Sequence, residues 1–320
     1  MNGIDRVAVC SRSFSKNQTL RRELLQRYQQ VTFNDEGGRL QGETLVRFLK
    51  GHTKAIVGLE RLDRGVLAKL PELSVVSKYG VGLDMIDLEA MRDLGKKLGW
   101  VGGVNRRAVS ELVLGMIISS LRYIPLCSQE VISGTWQQRG GRQLTGKTVG
   151  IVGCGAIGKD LVQLLKPFRC RILVNDIQAY SDFYSAHNLE PMGLESLLSE
   201  SDIVTLHVPL DESTTNMLSA ERLQMMKRGA VLINTARGGV VDEVALKAEL
   251  ESGRLSSAAF DVFHIEPPED QGLIELKNFL VTPHIGGSTE EAILAMGRVA
   301  IAGLDNIDYS LVSLPLGSGD

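Results

Sequence analysis

Three short strings in the C-terminal third of the chain each place one reactive side chain after an apolar run of strand length. The side chains are Arg237, Glu266 and His284. An arginine can grip a carboxylate through two parallel hydrogen bonds, and an imidazole with an ordinary pKa of about 6.5 exchanges protons near neutral pH. A carboxylate bonded to the far nitrogen of that imidazole would orient the ring and raise its pKa. Together the three predict proton transfer on a substrate that carries a carboxylate.

Each of these residues has a plainer interpretation when it is taken alone. Arg237 could be a surface cation, Glu266 a loop charge before two prolines, and His284 a structural histidine. Their joint occurrence, downstream of a glycine-rich loop, favours catalysis. His264 competes with His284 for the acid–base role, but it lacks the Pro-His-x-Gly-Gly setting and ranks behind it.

The glycine-rich loop at 153–158 has the spacing of a dinucleotide-binding fingerprint. An apolar strand over 148–152 runs into it and an amphipathic helix over 159–165 follows, which is the context that the fingerprint requires. Glycines permit a tight turn and a close approach of the backbone to a pyrophosphate, whose charge the helix N-terminus attracts. The cofactor-binding residues predicted here are Gly153, Gly155, Ala156, Ile157 and Gly158.

Asp176 follows the next predicted strand. An acidic residue in this place accepts hydrogen bonds from the ribose hydroxyls of adenosine and repels a 2′-phosphate. No lysine or arginine lies between Asp176 and Glu190 to bind such a phosphate. The sequence therefore predicts NAD rather than NADP, although a strand-end cap is the plainer role for this residue.

The bulk composition excludes several classes of partner. The chain has 320 residues, 43% of them hydrophobic and 23% charged, with a net charge of -3. This is enough for two globular domains, and it provides no general field for nucleic acid or anionic lipid. Asp5 interrupts any signal peptide, and the apolar stretch 112–121 is short for a bilayer-crossing helix. We expect a cytoplasmic protein without membrane or nucleic-acid partners.

The four cysteines form no Cys-x-x-Cys pair and no cluster with zinc-site spacing; they are Cys10, Cys127, Cys154 and Cys170. We therefore expect reduced thiols and no metal site. Cys154 lies inside the glycine-rich loop, where a small tolerated residue is the plainer interpretation and a redox sensor the alternative.

Apolar runs of strand length alternate with segments of helical period, which is typical of a parallel sheet covered by helices on both faces. The predicted strands of a first α/β unit are 7–10, 55–58, 73–77 and 99–102, and those of a second unit are 148–152, 170–174, 203–207, 230–234, 258–261 and 279–281. The predicted helices are 17–28, 88–94, 107–122, 159–165 and 289–305. Residues 310–320 are predicted to be a frayed tail.

The order and the amino-acid sequences of the motifs resemble those of the D-isomer-specific 2-hydroxyacid dehydrogenases along essentially the whole chain. The strings are Asn234-Thr-Ala-Arg-Gly-Gly239, Asp261-Val-Phe-His-Ile-Glu-Pro-Pro268 and Thr282-Pro-His-Ile-Gly-Gly287. The resemblance implies an α/β fold of two Rossmann-like or flavodoxin-like domains with parallel sheets and a cleft between them. It also implies that the final helix completes the N-terminal domain, so that residues 1–101 with 288–320 form a substrate domain and residues 102–287 an NAD-binding domain.

The resemblance further implies hydride transfer between NAD(H) and a D-2-hydroxy acid or its 2-keto acid. Arg237 would hold the substrate carboxylate, His284 would exchange the proton and Glu266 would orient His284. Asp261 matches the family residue that binds the nicotinamide carboxamide. Other implied cofactor contacts are His207, as a backbone contact, Val208, Pro209, Thr235, Ala236, Gly286 and Gly287.

Lys78, Tyr79 and Gly80 lie in a segment that resembles the family's substrate loop, whose backbone N–H groups bind the carboxylate. Lys78 either binds a further anionic group such as a phosphate or faces solvent. This segment and residues 206–210 most resemble the D-3-phosphoglycerate dehydrogenases. Position 78 is lysine where many of these have arginine, and Ala108 stands where many relatives have serine. Reduction of glyoxylate or hydroxypyruvate, or another D-2-hydroxy acid as substrate, stays open because specificity depends on the pocket.

The family also suggests partners and an alternative class of function. No C-terminal regulatory domain is expected after the last helix. Some relatives are non-enzymatic NAD-sensing corepressors that keep the same three residues, but these typically carry long tails, so we favour an enzyme. We expect a homodimer formed through the nucleotide domain. The helix over 112–121 and the loop with Trp136 are interface candidates, although a core position explains the helix equally well.

Overall fold

The computed structural model describes residues 5–305, and these contain twelve strands and fourteen α-helices. The strands are β1 (Arg6–Val9), β2 (Gln30–Phe33), β3 (Lys54–Val57), β4 (Val75–Lys78), β5 (Lys97–Gly99), β6 (Thr148–Val152), β7 (Arg171–Asn175), β8 (Glu190–Pro191), β9 (Ile203–Leu206), β10 (Val231–Asn234), β11 (Ser257–Phe260) and β12 (Phe279–Val281). The predicted tail at 310–320 lies outside the described residues.

The helices alternate with the strands along most of the chain. They are α1 (Arg12–Lys16), α2 (Gln18–Leu25), α3 (Gly42–Leu49), α4 (Arg64–Ala68), α5 (Leu88–Asp93), α6 (Arg106–Arg122), α7 (Ile124–Ile132), α8 (Ala156–Leu165), α9 (Ser181–His187), α10 (Leu194–Glu200), α11 (Ala220–Met225), α12 (Glu243–Glu251), α13 (Gln271–Ile274) and α14 (Glu290–Ala302).

The chain divides into two compact units, one of residues 1–105 with 288–320 and one of residues 106–287. The first unit has a five-stranded parallel sheet in the order β2-β1-β3-β4-β5. Its helix α14 packs on α2, where Gly297 leaves room for Leu20: a Cβ at that glycine would lie 2.3 Å from the leucine side chain. This contact is why the C-terminal helix belongs to the first unit.

The second unit has a seven-stranded parallel sheet in the order β12-β11-β10-β9-β6-β7-β8. Its inner strands β6, β9, β10 and β11 are nearly continuous runs of buried residues, as expected where helices cover both faces. Because successive side chains point to opposite faces, one core contains Leu206 and Leu232 and packs against α10–α12, while the other contains Ile151 and Ile233 and packs against α6 and α8. The strand order reverses between β6 and β9, the kind of point where open α/β sheets bind ligands.

The predicted fold class, two parallel α/β sheets, is confirmed. The prediction missed β2, because this edge strand is half exposed and lacks an apolar run. The strand predicted at 99–102 lies at Lys97–Gly99 instead.

No single helix of residues 5–305 is both long and apolar enough to cross a membrane. Helices α6 and α7 meet the length and composition criteria only when they are taken together, and they are bent by 62° relative to each other.

Candidate active site

Arg237 lies in a tight turn after β10, and the side chain of Asn234 closes this turn. The buried amide of Asn234 accepts the N–H of Ala236 and donates to the carbonyl of Arg237, both at 3.0 Å. The guanidinium of Arg237 donates to the carbonyl of Ala236 at 2.7 Å. An asparagine that bonds the backbone two residues on favours such a turn. Asn234, at the end of the strand, therefore fixes the position of the Arg237 backbone.

Gly238 presses this turn against the loop that follows β11. A Cβ at Gly238 would lie 1.9 Å from the carbonyl carbon and oxygen of Phe263. No side chain larger than hydrogen fits there unless the backbone moves. The arginine turn and the segment that leads to Glu266 are therefore in direct backbone contact.

His284 lies in a second turn, which is anchored on Asp261. The buried carboxylate of Asp261 accepts the hydroxyl of Thr282 at 2.5 Å and the N–H groups of Ile285 and Gly286 at 2.8 Å. His284 has a φ of 53°, in the left-handed region that few residues other than glycine adopt. Bonds on both sides of the histidine hold this conformation, and such strain is typical of functional sites.

Glu266 and His284 form a hydrogen-bonded pair. The Nδ1 atom of His284 lies 2.9 Å from Oε2 of Glu266, and Oε1 of Glu266 accepts the N–H of Phe263 at 3.2 Å. The two side chains are 42% and 38% exposed, so the pair is reachable by a small molecule. Nδ1 is engaged with the carboxylate, which makes Nε2 the nitrogen that can meet a substrate.

The pair shifts the pKa values of both partners, and Arg237 acts on each. The hydrogen bond from Glu266 raises the pKa of His284 above its usual value against the opposing effects of burial and the charge of Arg237. Burial alone would raise the pKa of Glu266, but the bond with His284 and the charges of His284 and Arg237 hold it below its usual value. The structure thus brings the three predicted catalytic side chains into one electrostatically coupled group. His264 contributes a backbone N–H, to Glu243 at 2.8 Å.

The loop after β6 has the shape of a phosphate cradle. Gly153 has a φ of 93°, and a Cβ there would lie 2.6 Å from the carbonyl oxygen of His207. A Cβ at Gly158 would lie 2.3 Å from the carbonyl oxygen of Gly153, whereas one at Gly155 would meet nothing within 4 Å. The two outer glycines are thus required by packing and the middle one leaves an open approach. Gly155 caps α8 without a side-chain bond, so the first N–H groups of this helix can face an anion.

Asp176 braces this loop from the neighbouring strand. Its carboxylate accepts the N–H of Cys154 at 2.6 Å and that of Gln178 at 2.9 Å. The cap is therefore present, and it orients the carboxylate beside the glycine loop where a ribose hydroxyl would approach. Burial, together with the charge of Asp176, raises the pKa of the Cys154 thiol to about 11, which suppresses the thiolate that a redox sensor needs.

Two further predicted cofactor residues carry buried polar atoms without a hydrogen-bond partner among the described residues. These atoms are the hydroxyl of Thr235 and Nδ1 of His207. Buried polar groups are nearly always satisfied, so such orphans fit a site for a polar ligand, and the backbone of His207 lies against the glycine loop at Gly153. Burial lowers the pKa of His207 to about 3, so its ring is neutral near neutral pH and is a poor proton donor. Val208, Pro209, Ala236, Gly286 and Gly287 lie in the same turns at the carboxyl edge of the sheet.

Lys78, Tyr79 and Gly80 belong to the first unit, at the carboxyl end of β4. Lys78 is 4% exposed and its amine donates to the carbonyl of Gly58, so of the two alternatives for this residue, the one in which it faces solvent is wrong. Tyr79 is buried against Phe14, and Gly80 has a φ of 123°.

Three supporting residues were not predicted from the sequence as part of the site: Asn234, Glu243 and Glu60. Asn234 follows an apolar strand and precedes a glycine pair, which is a recognisable turn pattern. Glu243 and Glu60 bond to backbone groups whose importance only the folded chain reveals.

The family model of the D-isomer specific 2-hydroxyacid dehydrogenase, NAD binding domain, matches residues 114–286, which include the glycine loop and all three catalytic candidates. D-3-phosphoglycerate dehydrogenase of Methanocaldococcus jannaschii is 36% identical over 75% of this chain and 46% of its own length, so the match spans about half of that relative. Glyoxylate reductase of Thermofilum pendens is 38% identical over 77% of this chain and 75% of its own length.

A solved structure from Polaromonas sp. JS6 66, assigned to the D-isomer specific 2-hydroxyacid dehydrogenases, superposes with a TM-score of 0.87 at 29% identity. It covers 96% of this chain and 100% of its own. The family model, the relatives and the solved structure all indicate the same family. The chain belongs to the D-isomer specific 2-hydroxyacid dehydrogenase family, and residues 114–286 match its NAD-binding domain.

Proposed function

We propose that this chain interconverts a 2-keto acid and the corresponding D-2-hydroxy acid, with NAD(H) as the cofactor. The observation that carries the proposal is the Glu266–His284 pair, whose Oε2 and Nδ1 atoms lie 2.9 Å apart. The charge of Arg237 acts on this pair. The pair lies at the carboxyl edge of the sheet that also carries the glycine loop. When bound, NADH supplies the hydride that reaches the carbonyl carbon.

His284 provides the proton. In the direction of reduction its Nε2 donates to the carbonyl oxygen as that oxygen gains charge, and in the direction of oxidation it takes the proton back from the hydroxyl. Glu266 stabilises the protonated ring, which explains the raised pKa of His284. Such general acid–base assistance contributes roughly 10²–10⁴-fold to a rate.

Arg237 binds and polarises the substrate. Its planar guanidinium suits a carboxylate, which it can hold through two parallel bonds while its charge stabilises the developing oxyanion. Of the two backbone N–H groups that the family resemblance offers for the carboxylate, that of Tyr79 donates to the carbonyl of Val57 at 2.8 Å, so only Gly80 stays a prediction. The residues that would hold the cofactor are the glycine loop, Asp176, and Asp261 and Thr235 in the turns that carry the candidate catalytic residues.

The identity of the acid has two candidates. A phosphorylated three-carbon acid, as in the D-3-phosphoglycerate dehydrogenases, requires a cation for its phosphate, and Lys78 is the candidate. An unphosphorylated acid such as glyoxylate or hydroxypyruvate is the second candidate. It is favoured by the amine of Lys78, which is buried and donates to the carbonyl of Gly58.

One experiment tests the activity and ranks the substrates. NADH oxidation by the purified protein is followed with 3-phosphohydroxypyruvate, hydroxypyruvate, glyoxylate and pyruvate side by side. Turnover of at least one acid supports the proposal, and the ratio of kcat/KM values orders the candidates. A protein that binds NADH but reduces none of the four, and instead retains a peptide partner, would be an NAD-sensing binding protein.

We also infer that the chain forms a homodimer through its second unit. Helix α7 buries none of its residues although half of them are apolar, and Ile132 and Trp136 are 83% and 82% exposed. By contrast, Val113, Ile117 and Leu121 of α6 are buried in the core, so the interface candidate shifts from α6 to α7 and the following loop. A monomeric mass in light scattering at micromolar concentration would contradict this inference.

A further inference from the structure

We propose that Glu243 is a positioning residue for the acid–base pair, because its carboxylate holds the segment that carries Glu266. This inference rests on the proposed function of the pair. Oε1 of Glu243 accepts the N–H of His264 at 2.8 Å, two residues before Glu266 in the chain. No role at the site was assigned to Glu243 from the sequence or from the family resemblance.

The segment that Glu243 holds needs an external support. Residues 264–267 are exposed and form no helix or strand. The backbone after Phe263 therefore has few packing contacts of its own. The carboxylate of Glu266 must nevertheless stay within 2.9 Å of His284 to keep the imidazole oriented. An acceptor for the N–H of His264 at hydrogen-bonding distance supplies one fixed point immediately before it.

Glu243 is itself held on a rigid element. It is the first residue of α12, whose N-cap Asp242 accepts the N–H of Ala245 at 2.9 Å. Leu246 and Leu250 of the same helix are buried in the core of the second unit. The carboxylate thus projects from a packed helix toward an otherwise weakly supported loop.

The same helix also follows the arginine turn. Only residues 238–242 separate Arg237 from α12, and Gly238 is already pressed against Phe263. The bond from Glu243 to His264 adds a second connection between the arginine turn and the loop that carries Glu266. The first residue of α12 therefore helps to fix the arginine turn relative to Glu266 and, through Glu266, to His284.

Glu243 has a competing, purely structural role. A carboxylate in the first turn of a helix stabilises it by interaction with the helix dipole. That role depends on charge at the helix end and not on reach toward His264. Two conservative variants separate these roles. Glu243→Gln keeps the reach and an accepting oxygen but loses the charge, and Glu243→Asp keeps the charge but is one methylene shorter.

The test follows the ring of His284 by NMR titration in the full chain, with its resonance assigned by comparison with His284→Asn. We expect Glu243→Gln to titrate like the unaltered protein and Glu243→Asp to titrate at lower pH, toward the ordinary value of histidine. We also expect kcat to fall by about 10- to 100-fold in Glu243→Asp alone, since a displacement of about 1 Å near the chemistry has that effect, with KM for NADH unchanged. Glu251→Ala, an exposed carboxylate at the other end of α12, is the matched control and should change neither quantity.

The outcomes separate the two proposals. A shift in Glu243→Gln, with or without one in Glu243→Asp, would show that charge rather than the bond to His264 matters, and would overturn this inference. Unaltered titration in both variants would overturn it as well. If the unaltered protein reduces no keto acid, the proposed function fails, while the titration of His284 still decides whether Glu243 positions the pair.

Discussion

Both sheets of this protein are parallel, but the ionisable side chains at their carboxyl edges differ in how exposed they are. At the edge of the first sheet, Cys10 and Lys78 are buried and engaged with their surroundings. At the edge of the second sheet, Glu266 and His284 are 38% and 42% exposed. The buried groups of the first edge interact within the fold, whereas the half-exposed pair of the second edge is accessible to a ligand. The difference supports the proposal that the chemistry takes place at the second edge.

The first edge is organised around the backbone of one residue, Gly58. The carbonyl of Gly58 accepts the amine of Lys78, and its N–H donates to Glu60 at 2.6 Å. Burial raises the pKa of Glu60 against the opposing effects of the hydrogen bond from Gly58 and the charge of Lys78. Burial, with the charge of Glu60, also raises the pKa of the Cys10 thiol. Each of these groups has its interaction partners within the fold.

The second edge separates support from reaction. Asn234 and Asp261 are buried, and their side chains bond the backbone of the two turns. The groups that these turns carry, Arg237 and His284, stay accessible. In this arrangement one set of residues holds the backbone of the turns rigid, and another set presents accessible side chains to a ligand.

The contrast between the two edges would be refuted most clearly if His284 were dispensable for keto-acid reduction. We expect His284→Asn to lower kcat for keto-acid reduction by roughly 10²–10⁴-fold, because the general acid is lost. NADH binding, followed by fluorescence titration, should be unchanged. His264→Asn is the control, since His264 bonds to Glu243 through its backbone N–H. Loss of NADH binding with normal turnover per bound complex would count against the assignment.

A second test concerns the carboxylate that raises the pKa of His284. Reduction needs the protonated ring, so its rate falls as pH rises through the pKa of His284, which Glu266 holds above the usual value. Glu266→Gln removes that charge, and we expect this limb of the pH–rate profile to move to lower pH, while oxidation extends to lower pH. An unmoved limb would mean that another group titrates.

The same pair has a stability counterpart. A histidine whose pKa is raised on folding adds stability that is fully present below its unfolded pKa of about 6.5 and is lost as pH rises through the folded pKa. The partner is a carboxylate with a lowered pKa, which adds stability above its unfolded pKa of about 4.3 and loses it in acid. The pair therefore stabilises the fold chiefly at mildly acidic pH, by a small amount because it is well exposed.

The three candidate catalytic residues could be proposed from the sequence because their signals are local. Each lies just after a strand, and the parallel sheet brings strand ends to one edge. The supports could not, because they act across the chain. Asp261 bonds Ile285, 24 positions away, and Glu243 bonds His264, 21 positions away. The contact of Lys78 could not be predicted for the same reason. Its amine donates to a carbonyl 20 positions earlier, and the two roles considered from the sequence were an anionic ligand and solvent exposure. Likewise β2 is an edge strand defined by its pairing with β1 and not by an apolar run.

Gly238→Ala tests whether backbone contact supports the second edge. The added Cβ would lie 1.9 Å from the backbone of Phe263, so the arginine turn must move. We expect the free energy of unfolding in urea to fall by about 1–3 kcal/mol or more, with a matching loss of kcat. At Gly193 a Cβ would meet nothing within 4 Å, and Gly193→Ala should leave both quantities nearly unchanged. Equal effects from the two substitutions would contradict the packing argument.

The smallest functional effect is expected at the first edge, from Lys78→Met. The methionine leaves the carbonyl of Gly58 and the carboxylate of Glu60 without the buried amine, so the free energy of unfolding should fall by about 1–3 kcal/mol. The exposed Lys69 supplies the control, because Lys69→Met should stay within about 0.5 kcal/mol of the unaltered protein. If Lys78 stabilises the fold and does not bind substrate, the ratio of kcat/KM for 3-phosphohydroxypyruvate to that for hydroxypyruvate stays the same. A loss confined to the phosphorylated acid would instead give Lys78 a substrate phosphate to bind, and the first edge would then share in recognition even though its charges are buried.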